Sequence, residues 1–205
     1  MRFRCIVLIS TLTGCTSGEE LHVRDHGEVL FSGRIRKTVT LTQSERHRVG
    51  IGAEVGAFGT NGDYSSPTGT RDYRYTVGYA AFVTDLGIKD FTFRPKLGIG
   101  AVDVAVAGQS TTVGDDGLGV MFGLEVRHNI TPTLDVFARG SAFQRSSLDS
   151  TMIEAGFGFY PVPNVVVECG YGTADVIIDD AFSYLNLGGV DLDVQGVMIS
   201  LSLLF

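Results

Sequence analysis

Over most of this chain, from Val49 to Phe205, apolar side chains recur at every second position. A strand turns successive side chains to opposite faces, whereas a helix repeats every 3.6 residues, so the pattern argues against a helical fold. Turn-forming clusters divide it into the segments 49–59, 71–83, 90–103, 118–129, 134–144, 150–160, 165–175 and 194–205. Their lengths and spacing predict eight antiparallel strands joined in sequence. The 27 glycines agree, since Gly costs about 1 kcal/mol per helix position relative to Ala.

The two faces of these strands differ in kind. One is apolar: Val49, Ile51, Ala53, Val55 and Ala57 in the first segment, Tyr73, Tyr75, Val77, Tyr79, Ala81 and Val83 in the second, and Val197, Ile199, Leu201, Leu203 and Phe205 in the last. The other collects small residues and charge. Glu54, Arg74, Arg94, Lys96, Glu125, Arg127, Asp135, Arg139, Glu154 and Glu168 all fall on it, interleaved with glycines such as Gly52, Gly98, Gly156 and Gly170. A water-soluble barrel hides its apolar face inside, while a barrel in a bilayer turns it outward. Charge and glycine suit a cramped lumen, so the apolar face is expected against lipid.

Mean hydropathy is +0.20, yet no run approaches the ~18 apolar residues of a spanning helix. Strands resolve the discrepancy. Eleven residues at ~3.3 Å each, tilted by ~40°, rise about 28 Å, enough for the ~25 Å apolar band of an outer-membrane barrel. The expected fold is all-β: an eight-stranded antiparallel transmembrane up-and-down β-barrel over 49–205. Ten strands are the alternative, using the alternating segment 29–41 and part of 176–193. Pro95, which cannot donate a ladder hydrogen bond, predicts a bulge or a shifted strand boundary.

Connections near 84–89, 130–133 and 161–164 are short, and those near 60–70, 104–117 and 176–193 are long and acidic. Short turns face the periplasm in such barrels and long loops face outward, so an even strand count puts both chain ends on the periplasmic side. Phe91, Phe93, Phe157, Phe159 and Phe205 fall toward the short-turn ends, and Tyr73, Tyr75 and Tyr171 toward the others, as two partial aromatic girdles.

The final strand, Val197 to Phe205, alternates and closes on Phe. In this it resembles the small outer-membrane β-barrel proteins of Gram-negative type. The resemblance covers the pattern of 49–205 and, as a motif, the terminal strand alone. It implies an outer-membrane location among lipid and lipopolysaccharide, with Phe205 as the assembly signal read by the barrel-assembly machinery.

The N-terminus reads as an address. Met1-Arg2-Phe3-Arg4 is a basic head, Cys5 to Leu12 an apolar stretch and Gly14-Cys15 a small-residue exit, as in a secretory signal peptide. Leu12-Thr13-Gly14-Cys15 also resembles the lipobox of bacterial lipoproteins. That resemblance implies a signal peptide over 1–14, lipidation of Cys15 and handling by the lipoprotein-sorting machinery, and Thr16 implies the outer membrane. Residues 15–48 then form a periplasmic tether or an extra strand. With Cys5 removed and Cys15 acylated, Cys169 has no partner for an internal disulfide.

The charged face is the principal candidate site. Its ten residues divide equally between the two signs, which favours a salt-bridged plug over an ion path, since a selective pore usually shows a ring of one sign. The expected role is structural or surface-interacting and non-enzymatic. A lipid A acyl hydrolase or transferase and a narrow ion channel are the alternatives. The enzyme would need a His beside a Ser and an acid, and His128 alone lies in the barrel, beside a predicted periplasmic turn. Asp115-Asp116, Asp179-Asp180 and Asp191 with Asp193 lack the spacing of a calcium loop, so neither metal nor cofactor is expected. A net charge of −7 argues against nucleic acid as a partner. The cluster Arg34-Ile35-Arg36-Lys37 reads as a contact to anionic headgroups or peptidoglycan, or as protection of a strand edge.

Overall fold

The computed structural model describes residues 19–44, 46–66, 69–107, 112–182 and 187–205. Among them the chain forms nine strands and no helix: β1 (Glu19–Gln43), β2 (His47–Ser66), β3 (Gly69–Ile88), β4 (Phe91–Ala107), β5 (Thr112–Thr131), β6 (Leu134–Arg145), β7 (Leu148–Val162), β8 (Val165–Phe182) and β9 (Leu187–Leu204). Each pairs antiparallel with the next, and β1 closes the barrel by pairing in parallel with β9. The barrel is therefore nine-stranded rather than eight. The added strand contains 29–41, whose outward Phe31, Ile35 and Val39 are exposed while Arg34 and Arg36 are buried inside. Its alternation matches the other strands, and its two arginines need the lumen's carboxylates.

An odd count separates the chain ends. Phe205 lies at the rim of the tight turns 89–90, 132–133 and 163–164, whereas β1 starts at the opposite rim with the long hairpins. The expectation that both ends share a rim fails for this reason. Nor are the long connections open loops. β2 and β3 stay paired to Ser66–Gly69, β4 and β5 to Ala107–Thr112, and β8 and β9 to Phe182–Leu187. Likewise 84–89 is mostly strand, ending in a two-residue turn at Lys89-Asp90 where Lys89 has φ 53°. Pro95 produces no bulge: the pairs Val83–Lys96 and Leu86–Phe93 keep one register on one side, and Arg94–Glu125, Pro95–Leu124 and Lys96–Gly123 do so on the other.

The lumen has two tiers. Toward the hairpin rim it is apolar, with Leu30, Tyr75, Val77, Met121, Phe143, Met152, Val176, Leu192 and Met198 buried together. Toward the turn rim it is charged. Individual strands switch part way along. In β9 the inward file runs Val190, Leu192, Val194 and then Ser200, Ser202, while the outward file runs Asp191, Asp193, Gln195 and then Val197, Ile199, Leu201. The hairpin half is thus built as a barrel in water, and the turn half as its inverse.

This switch corrects the side assigned to β3. Tyr73, Tyr75, Val77, Ala81 and Val83 are buried in the lumen, not outside, because they belong largely to the apolar upper tier. An apolar file alone does not reveal which side of a closed sheet it occupies. Tyr73 and Tyr75 accordingly form no outer girdle, whereas Phe91, Phe93, Phe157, Phe159, Tyr171 and Phe205 are exposed as expected. Inward glycines permit close strand approach. Gly156 and Gly170 stand opposite each other, and a Cβ on either would collide with a backbone carbonyl of the neighbouring strand.

Candidate functional site

The charged tier is assembled by alternation. Strands β4 to β8 place Arg94, Lys96, Glu125, Arg127, Asp135, Arg139, Glu154 and Glu168 inward, β2 adds Glu54, β1 adds Arg34 and Arg36, and β3 adds Asp85. Six cations thus meet six carboxylates, none of them more than 8% exposed. Several bonds join residues directly opposite on neighbouring strands: Arg36 with Glu54, Arg94 with Glu125, and Arg139 with Glu154. Others cross the lumen. Glu168 of β8 accepts from Arg34, Arg127 and Arg139, the last at 2.6 Å, and so ties four strands together.

Glu125 is the hub. It pairs with Arg34 and Arg94, takes the Arg127 Nε at 2.8 Å, and lies 3.5 Å from Arg36 and 3.7 Å from Lys96. Lys96 Nζ donates to Glu54 Oε1 at 2.5 Å, and the Tyr79 hydroxyl donates to the same oxygen at 2.8 Å. Arg127 also donates to Asp135 at 2.5 Å. The inward Phe137 ring lies between two guanidiniums, with Arg127 and Arg139 at 5.2 and 5.0 Å from its centroid. Withdrawing an ion from water costs several kcal/mol, so twelve buried charges are tolerable only when mutual pairing offsets that cost.

The interior is filled as well as neutral. Between Arg34, Tyr79, Lys96 and Glu154 the space left is about 20 Å³, which suits about a single water molecule. Toward the turn rim the lumen widens into a bowl of about 880 Å³, bordered by Arg36, Arg48, Asp85, Asp90, Arg94 and Tyr160. The apolar tier closes the other end.

Nine of the ten expected interior charges are buried here. Arg74 is not: it projects outward, 60% exposed, and pairs with Asp103 at 2.7 Å. It follows from the misassigned side of β3. Arg34, Arg36 and Asp85 are the members that sequence reasoning missed. The first two lay in the segment set apart as a tether, and Asp85 in a stretch read as a turn. Arg34 and Arg36 are therefore no headgroup contact, although Lys37, on the outward file of the same strand, is exposed.

Phe205 sits at the turn rim with its side chain 64% exposed. Its N–H donates to the Arg36 carbonyl at 2.8 Å, and its own oxygen accepts from the Thr38 N–H at 3.2 Å. His128 stacks on Phe91 with ring centroids 4.4 Å apart, and its Nδ1 is buried with no hydrogen-bond partner. Cys15 lies outside the described residues. Among the described residues no group of three or more His, Cys, Asp or Glu is placed to hold a metal ion. Comparison of the chain with protein-family models, with curated proteins and with solved structures finds no match.

Proposed function

We propose that the chain is an integral β-barrel of a Gram-negative-type outer membrane, with a structural or surface-interaction role and no catalytic centre. One observation carries this reading: around the turn half, side chains such as Leu97, Ile99, Phe122, Ile153, Phe157 and Leu201 stand exposed on the outer wall while twelve charges are turned into the lumen, with Lys37 a charge on the outer file. In water that arrangement exposes apolar surface and buries ions; in a bilayer both costs disappear or are offset by pairing. The hairpin half, polar outside, then projects beyond the membrane. With the tight turns on the periplasmic side, β1 enters the barrel from the outer rim.

The filled lumen supports a plug rather than a pore, and refolded protein in a planar bilayer should be silent. Steps of defined conductance would overturn that part. The membrane reading is tested by fractionation and electrophoresis. The folded barrel should appear in the outer-membrane fraction and migrate differently before and after boiling, whereas a soluble, unshifted product would refute it.

A further inference from the structure

At the turn rim β1 outruns the strand it closes on. Its pairing with β9 ends at Arg36–Leu204, followed by the two backbone bonds that join Phe205 to Arg36 and Thr38. From there to Gln43 it pairs only with β2, among the described residues. Backbone alternation makes the Thr38 carbonyl and the Thr40 N–H the next groups on that edge. Val39 to Gln43 are exposed on both faces of the strand, Val39 and Leu41 to 59% and 60%. An edge of this kind offers its N–H and C=O groups to a further strand. Space for one is present, because the bowl of about 880 Å³ is bordered here by Thr38, Leu204 and Phe205 and by the β7–β8 turn at Pro161 to Pro163.

The charge of the bowl specifies which strand. Its wall sets four guanidiniums, those of Arg36, Arg48, Arg94 and Arg127, against the carboxylates of Asp85 and Asp90. Arg36, Arg94 and Arg127 are held by the buried network beneath, and Asp85 is bonded to Arg94. Arg48 differs. It is paired with Gln43 at the end of the open edge, is exposed, and makes no ion pair among the described residues. Its side chain lies over Gly87 of β3, where a Cβ would stand 3.2 Å from the Arg48 Cβ and 3.5 Å from its Nε. An exposed guanidinium beside an open strand edge is complementary to a carboxylate on the incoming strand. On the other face, Val39 and Leu41 are complementary to apolar side chains.

We propose that the turn rim binds an extended segment of a partner protein in which acidic and apolar residues alternate. The segment continues the sheet along β1 beyond Phe205, sets a carboxylate against Arg48 and lays its apolar side chains beside Val39 and Leu41. A second copy of this chain is a poorer occupant, because its own exposed edge here, Val39-Thr40-Leu41-Thr42-Gln43, carries no acidic residue. The proposal holds whichever side of a membrane the turn rim faces.

The test uses the full chain refolded in detergent. A fluorescent heptapeptide of alternating valine and glutamate, blocked at both ends, should bind saturably, and its valine–lysine counterpart should not. Arg48→Gln removes a charge that the lumen network does not engage, and should weaken binding about tenfold, the scale of a lost charge-assisted hydrogen bond. Methylating every backbone nitrogen of the peptide keeps its charge and removes its ladder donors, so binding should be lost with the protein unaltered. No saturable binding, equal binding of both peptides, full binding of the methylated peptide, or an Arg48→Gln chain that binds like the parent would each overturn the proposal. So would a dimer of the chain that excludes the peptide.

Discussion

Glu125 contacts five cations and is fully buried, so losing its charge unbalances more pairs than losing a singly paired one. Glu125→Gln keeps the shape and leaves those cations short of one negative charge. The barrel should lose about 3–5 kcal/mol, measured by urea unfolding in vesicles. Arg74→Ala, which breaks a pair 60% and 49% exposed, should cost less than about 1 kcal/mol in the same assay. A comparable loss from both would show that the lumen is wet. Lys89 gives a change in the opposite direction. Its φ of 53° lies in the left-handed region that Gly adopts without strain, so Lys89→Gly should stabilise the β3–β4 turn by about 1 kcal/mol.

At the level of single elements, β1 is the most informative. Its alternation was visible in Val29, Phe31, Ile35 and Val39 against Arg34 and Arg36, but nothing local says whether an alternating segment joins a distant strand. The partner that decides it, β9, begins at Leu187. β3 illustrates a second limit. Period two reveals two files and not their sides, and the upper tier exchanges the chemistry of the files, so Tyr75 and Val77 look like lipid-facing residues although they are buried. Where the outer file is apolar throughout, as at Leu97, Ile99 and Phe122, the side was legible, and so were Arg94, Lys96 and Glu125 opposite it.

Glu28 adds a pH dependence to β1. Its folded pKa is raised, so the folded state binds more protons than the unfolded state between the ordinary carboxylate value of 4.5 and the raised one. Stability therefore falls as pH rises through that window. Glu28→Gln should stabilise the upper part of β1 at pH 7 and make no difference near pH 4. Amide exchange over 24–30 measures this, and an equal effect at both pH values would contradict it.

For the molecule as a whole, the parallel seam between β1 and β9 has a bearing on time. Each of the other eight interfaces joins neighbours in sequence and can zip outward from a connection. The seam joins Arg34 to Ser202 across nearly the entire chain, through the Arg34 Nε–H donated to the Ser202 hydroxyl at 2.7 Å. No turn nucleates it, and contacts between remote segments form late because chain entropy must be lost before they contribute. A quenching pair placed across the seam should accordingly report closure after circular dichroism has reported the strands. Until that moment the molecule is an open sheet of nine strands with two sticky edges, so the interval between strand formation and closure sets how long a nascent copy is exposed to pairing with the wrong neighbour.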